Sequence, residues 1–108
     1  YSKESFELLE YNIKYINELA KSKDINFWLV SVGFINELNA ILKGKKNVRL
    51  INDLERISKK YNFNYFDLST ELVNNFNGKY EDLFFECDNH YNELGSKIIS
   101  EIIAKQIK

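Results

Sequence analysis

The chain has 108 residues, of which 44% are hydrophobic and 29% charged, and its formal net charge is -1. This length and composition are typical of one globular domain with a thin core, and the charge lacks the basic excess of a protein that binds nucleic acid. The single cysteine, Cys87, excludes an intrachain disulfide, and no apolar run is long enough to predict a membrane span.

Helical and strand-like segments alternate along the chain. In residues 5–21 an apolar residue recurs at every third or fourth position, which predicts an amphipathic helix with Ser2 or Ser5 as its N-cap. The predicted buried face carries Phe6, Leu9, Ile13, Ile16 and Ala20. Residues 26–32 form a nearly continuous run of aromatic and β-branched residues, which predicts a strand covered on both faces.

The middle of the chain predicts two helices and a second strand. Gly33 ends the first strand, a helix is predicted at 35–42, and a lysine-rich turn follows at 44–46. Asn47 is a candidate N-cap for the next helix, whose apolar face comprises Val48, Ile51, Leu54, Ile57 and Tyr61. The second strand is predicted at 63–68.

The last third predicts a helical turn at 70–76, a turn at 77–78, an acidic loop as far as Asn92, and a closing helix at 93–107. The predicted apolar face of that helix carries Leu94, Ile98, Ile102 and Ile103. Alternating helices and strands are typical of crossover units on a parallel sheet. Two strands make a poor sheet, so we expect further strands upstream, and the chain begins at Tyr1 rather than at Met.

One group of residues in the sequence indicates a catalytic site. His90 is the only histidine, and Asp88 precedes it by two residues in the loop before the closing helix. An imidazole is the natural general base near neutral pH, and an aspartate at its Nδ1 orients the ring and stabilises the imidazolium. We predict His90 and Asp88 as the catalytic residues, with a solvated loop histidine as the alternative.

Three neighbouring signals are weaker. Cys87 lies between two acids, Glu86 and Asp88, which disfavour a thiolate nucleophile. The set Cys87, Asp88 and His90 has too few ligands to indicate a metal site, so neither a metal nor a cofactor is predicted. Asp67, at the end of the second strand, is either a functional group or the cap of the turn that follows.

Residues 84–103, and above all Asp88-Asn89-His90-Tyr91-Asn92-Glu93-Leu94-Gly95, resemble the final block of the SGNH/GDSL hydrolases. That block has an acid, a short gap, a histidine, then Asn and Gly and an amphipathic closing helix. The Asp-x-His spacing is that of the alginate acetyltransferase-like members. Most other members have the spacing Asp-x-x-His. In this chain the residue three positions before His90 is Cys87, which is not an acid. Glu86 is a less favoured candidate than Asp88 for the acidic partner.

The resemblance implies a three-layer α/β/α flavodoxin-like fold with parallel strands, of which residues 1–108, a single α/β domain, form the C-terminal half. It also implies acyl transfer through a serine ester, in which His90 is the general base and Asp88 orients it. If water accepts the acyl group, the enzyme is an esterase that acts on a small-molecule or carbohydrate ester. If a sugar hydroxyl accepts it, the enzyme is an O-acyltransferase.

The family's Gly-Asp-Ser and Gly-x-Asn blocks are both missing from these 108 residues. We therefore expect the serine to come from the upstream N-terminal half of the same protein and the chain alone to be inactive. The alternative is a non-catalytic α/β accessory or protein-interaction domain. No targeting segment distinguishes an extracytoplasmic from a cytoplasmic location.

Overall fold

The computed structural model describes residues 2–45 and 48–107. It is mixed α/β, as the alternating pattern predicts, and most of its elements are helices. Two short strands pair in parallel. In chain order the elements are α1 (Lys3–Ser22), β1 (Trp28–Ser31), α2 (Ile35–Leu42), α3 (Val48–Tyr61), β2 (Asn64–Asp67), α4 (Leu68–Asn75), a 3₁₀ turn (Tyr80–Leu83) and α5 (Glu93–Gln106).

The helices agree with the prediction more closely than the strands do. The helix α2 has the predicted ends, whereas β1 and β2 are four residues each, shorter than the predicted runs. Every residue of β1 is half-buried, so the prediction of a strand covered on both faces is wrong. The physical reason is that β1 has one neighbouring strand among the described residues. The candidate cap Asn47, and Lys46 in the predicted turn, lie outside the described residues.

The chain divides into two compact units, each built from two separate stretches of sequence. Unit 1 comprises the described residues of the ranges 1–29 and 48–66, and unit 2 comprises those of the ranges 30–47 and 67–108. That the two units form one domain stays a prediction. No described helix combines the length and the apolar content that crossing a membrane requires.

In unit 1, α1 packs on α3 through a face that differs from the predicted one. Leu9 and Ile16 are 41% and 48% exposed, whereas Asn17 is 3% exposed. Asn17 Nδ2 donates to the backbone carbonyl of Tyr61 at 2.7 Å, and the Tyr61 hydroxyl donates to Glu10 at 2.9 Å. Because Glu10 and Asn17 form hydrogen bonds with Tyr61 of α3, the face of α1 that carries them is turned towards α3. The buried apolar residues of unit 1 are Phe6, Ile13, Leu54 and Ile57.

In unit 2, α2, α4, the 3₁₀ turn and α5 enclose a second core. Its buried members are Leu38, Leu72, Tyr80, Leu83 and Phe84. From α5, Ile98, Ile99 and Ile102 pack against them. The predicted face of α5 is wrong at Leu94, which is 46% exposed, because the first turn of α5 approaches Leu83 and Tyr91 through the neighbouring Gly95, which is buried.

Candidate functional site

The loop of residues 84–92, called here the His90 loop, is closed at its base. Phe84 and Tyr91 form an antiparallel bridge, and their rings stack with centroids 4.3 Å apart. Inside this base, the backbone N–H of Phe85 donates to the carbonyl of His90 at 3.0 Å. The two ends of the loop are therefore held together by both backbone and ring contacts, which restricts the positions of the residues between them.

The tip of the His90 loop brings the two predicted catalytic residues into contact. The backbone N–H of Asp88 donates to the carbonyl of Phe85 at 3.2 Å, and Cys87 adopts a positive φ of 58°. A non-glycine residue in this left-handed region marks a tight turn. Nδ1 of His90 lies 2.5 Å from Oδ1 of Asp88, and the backbone N–H of His90 donates to the same oxygen at 3.0 Å. The arrangement orients the imidazole from its Nδ1 side.

The protonation state of Asp88 suits a carboxylate that orients a neighbouring imidazole. The hydrogen bond from the His90 ring holds the pKa of Asp88 below its usual value, so the carboxylate stays ionised at neutral pH. The side chains of His90 and Asp88 are 83% and 49% exposed. Since Nδ1 is engaged by Asp88, Nε2 is the ring nitrogen available to a reacting hydroxyl. Exposure leaves the ring accessible from solvent but weakens the pair through solvent screening.

Asn92 and Gly95, the Asn and Gly of the resemblance, have structural roles at the start of α5. Asn92 Oδ1 accepts from the backbone N–H of Gly95 at 2.9 Å, which caps the helix. Asn92 Nδ2 donates to the carbonyls of Asp82 and Phe84 at 2.8 and 3.1 Å. A Cβ on Gly95 would lie 2.2 Å from the carbonyl oxygen of Leu83. The two residues therefore let α5 begin directly against the chain that precedes the His90 loop.

Tyr91 anchors the His90 loop to the segment after β1, which the sequence did not predict. Its hydroxyl donates to the carbonyl of Gly33 at 2.6 Å. The N–H of Gly33 in turn donates to the hydroxyl of Ser69, which is 2% exposed, at 2.6 Å. Gly33 and Tyr91 are 58 residues apart. The only sequence signal for Tyr91 was its position beside His90.

Two carboxyl groups, Glu37 and Asp67, lie near this anchor. Asp67 accepts from the hydroxyl of Thr70 at 2.6 Å and from its backbone N–H at 3.3 Å, so the capping alternative for Asp67 is confirmed. Burial, and then the charge of Asp67, raise the pKa of Glu37. Burial, and then the charge of Glu37, raise the pKa of Tyr91 to about 12. The Tyr91 hydroxyl therefore keeps its proton at neutral pH and remains a donor to Gly33.

We expect Tyr91→Phe to lower the free energy of unfolding by about 1–2 kcal/mol, because the buried Gly33 carbonyl loses its donor. The full difference in the free energy of unfolding should be present below pH 10.0, the ordinary pKa of tyrosine. It should shrink as the pH rises towards about 12. In that window the unfolded chain gives up the phenolic proton more readily than the folded one. Urea denaturation across this range, with the exposed Tyr15→Phe as the matched control, measures the difference. Equal stabilities of the two variants would contradict the anchor.

We expect Glu37→Gln to raise the free energy of unfolding at pH 7 by up to about 1 kcal/mol, a modest gain because the side chain keeps contact with water. The folded pKa of Glu37 lies above 4.5, so stability falls as the pH rises from 4.5 through the raised pKa. Below pH 4.5 the gain should disappear, since Glu37 is then protonated in both states. Denaturation at pH 4 and pH 7, beside the exposed Glu55→Gln, checks this. A gain of the same size at both pH values would refute the assignment.

The remaining sequence candidates are exposed residues of the His90 loop. Cys87 has an exposed thiol, and Glu86 is exposed as well. Within residues 2–45 and 48–107, no group of three or more His, Cys, Asp or Glu side chains is arranged to hold a metal ion. The structure thus brings together Asp88 and His90, and it gives Asp67 a capping contact instead.

Comparison of the chain with protein-family models, with curated proteins and with solved structures finds no match. The relation to the SGNH/GDSL hydrolases is therefore a resemblance carried by residues 84–103. The contact between Asp88 and His90 is the contact that the structure adds to that resemblance.

Proposed function

We propose that the chain is the C-terminal half of an SGNH/GDSL-type serine esterase or O-acyltransferase that acts on ester-linked acyl groups, those of carbohydrates included. The parent domain would be a three-layer α/β/α flavodoxin-like fold with parallel strands. The observation that carries the proposal is the 2.5 Å contact between His90 Nδ1 and Asp88 Oδ1 in a loop that leaves the imidazole 83% exposed. This is the pairing that a general base needs in acyl transfer.

In the proposed reaction His90 moves protons and Asp88 keeps its charge. His90 Nε2 takes the proton of a serine hydroxyl as the oxygen attacks the ester carbonyl, and then gives that proton to the leaving alcohol. In the second half, the same nitrogen deprotonates water or a sugar hydroxyl, whose oxygen attacks the acyl-serine carbonyl. The bond between the acyl group and the serine oxygen then breaks, and Nε2 returns the proton to that oxygen, which restores the serine and releases the product. Asp88 holds the ring in one tautomer and stabilises the imidazolium throughout.

The serine in this proposal belongs to the upstream N-terminal half of the same protein. That half would also supply the strands that a doubly wound sheet needs beyond β1 and β2. The chain as given would then lack both the nucleophile and the oxyanion donors, and it would not turn over an ester alone.

The experiment that tests the proposal uses the longest natural form of the protein and a fluorophosphonate probe, which labels activated serines. Wild-type protein should be labelled on a serine upstream of Tyr1, and labelling should collapse in His90→Ala. Circular dichroism of the variant checks that it remains folded. Absence of labelling, or labelling that is the same in both proteins, would remove His90 from catalysis.

A second candidate function, a non-catalytic accessory or protein-interaction domain, is favoured by the exposed apolar residues of α1. Leu8, Tyr11, Tyr15 and Leu19 are 63%, 66%, 62% and 47% exposed, and their spacing places them along one side of the helix. In this case His90 would merely border the last helix. A parent gene without an upstream Gly-Asp-Ser block, together with no probe labelling, would favour this function.

A further inference from the structure

An open pocket of about 410 Å³ lies beside Asp88, and all of its lining residues belong to unit 2. Its apolar wall is formed by Ile35, Phe84 and Phe85. One face of the Phe84 ring is covered by Tyr91, whereas Phe85 is 54% exposed. This volume falls within the range of small-molecule sites in proteins. The pocket therefore offers apolar contact to a small group next to the residue that orients the proposed base.

The polar part of the same pocket is strongly one-sided in charge. Its described lining residues include three acids, Glu81, Glu86 and Asp88, and no Lys, Arg or His. A pocket lined by one sign of charge concentrates ligands of the opposite sign, and the effect is strongest at low salt because the three side chains are exposed. An anionic ligand would be repelled here, and a neutral one would gain only the apolar contact.

We propose that this pocket binds the ammonium group of a cationic ester, so that the enzyme's preferred substrates carry a positive charge close to the ester bond. The inference rests on the proposed function and names its substrate class. An alkylated ammonium matches both parts of the pocket. Its carbon atoms contact Ile35 and the exposed Phe85 ring, which also attracts a cation through its π face. Its charge is balanced by Glu81 and Glu86.

Isosteric esters test the proposal in the longest natural form of the protein. In one series the charge is on the alcohol: acetylcholine is compared with 3,3-dimethylbutyl acetate, its neutral isostere. In the other it is on the acyl group: the methyl ester of trimethylglycine is compared with methyl 3,3-dimethylbutanoate. Hydrolysis is followed by acid release. Each kcat/KM is divided by the rate constant for hydroxide hydrolysis of the same ester, because an ammonium group near the carbonyl activates the ester by itself. We expect this corrected kcat/KM to favour the cationic member of at least one series by about 10-fold at low salt, and by about 2- to 3-fold at 0.5 M salt.

Charge-neutralising variants locate the effect. In the double variant Glu81→Gln, Glu86→Gln the ratio of kcat/KM for the cationic and neutral esters should fall to about 2-fold, since only Asp88 remains. The matched control is the double variant Glu55→Gln, Glu101→Gln, whose carboxylates are also exposed but lie outside the pocket, and it should keep the wild-type ratio.

Three results would overturn the inference. Turnover without a preference in either series would contradict the cationic substrate but not the proposed esterase activity. If the preference survives in the Glu81→Gln, Glu86→Gln variant, or is lost equally in the Glu55→Gln, Glu101→Gln control, the pocket is not its cause. No turnover of any ester, combined with no fluorophosphonate labelling, overturns the proposed function itself and the inference with it.

Discussion

His90→Ala is expected to lower kcat of the longest natural form on an ester substrate by about 10⁴-fold, the upper end of the range for loss of a general base. Asp88→Asn should cost less, about 10²- to 10³-fold. Asparagine cannot stabilise the imidazolium with a charge, but the Asp88 side chain is 49% exposed, so water takes over part of its role. The order of the two losses follows from the proposed roles, proton transfer for His90 and orientation for Asp88.

The matched control for Asp88→Asn is Asp82→Asn, an exposed acid of the same unit whose backbone carbonyl, rather than its side chain, bonds to Asn92. It should retain wild-type kcat. Steady-state kinetics of the three variants, with thermal unfolding to confirm that each is folded, completes the comparison. A loss in Asp82→Asn equal to that in Asp88→Asn would show that general surface charge, and not the contact with His90, is responsible.

Gly95→Ala is expected to destabilise the protein by about 3 kcal/mol, the most severe stability effect that we predict for a single added methyl group. The new Cβ would lie 2.2 Å from the carbonyl oxygen of Leu83 and 2.8 Å from the Tyr91 ring. A backbone carbonyl cannot rotate away as a side chain can, so α5 must shift and the bond from Gly95 N–H to Asn92 is strained. Overpacking of this kind typically costs about 1–3 kcal/mol.

Urea denaturation of Gly95→Ala beside Ser96→Ala separates this clash from helix propensity. Ser96 is the next residue of α5 and is exposed, and alanine favours the helix at both positions. Ser96→Ala should therefore leave stability unchanged or raise it slightly. If Gly95→Ala is as stable as Ser96→Ala, α5 does not approach Leu83 as closely as the structure indicates, and the role of this glycine in placing the His90 loop is refuted.

Local sequence was enough to predict most of the helices and the pairing of the candidate catalytic residues. Helix α2 has its predicted ends because apolar periodicity and the bounding glycines act over a few residues. Asp88 and His90 meet because they are two residues apart in a tight turn, so their contact does not depend on distant parts of the chain. The 3₁₀ turn at Tyr80–Leu83 escaped prediction since it has no periodic pattern.

Long-range contacts decided what the sequence could not. The buried face of α1 includes Asn17 because a carbonyl of α3, 44 residues away, accepts its hydrogen bond. Hydrophobic periodicity assigns every polar residue to the surface and therefore missed it. Tyr91 likewise gains its role from Gly33, a partner far away in the sequence.

The sequence by itself determined the order of elements, the mixed α/β class and the contact between Asp88 and His90, because each depends on residues that are neighbours along the chain. Only the tertiary structure decided how that contact is held in place. Tyr91 bonds to Gly33, and Gly95 permits the approach of α5 to Leu83, through packing of segments that the sequence does not connect. The same packing places an acidic, apolar-walled pocket beside Asp88.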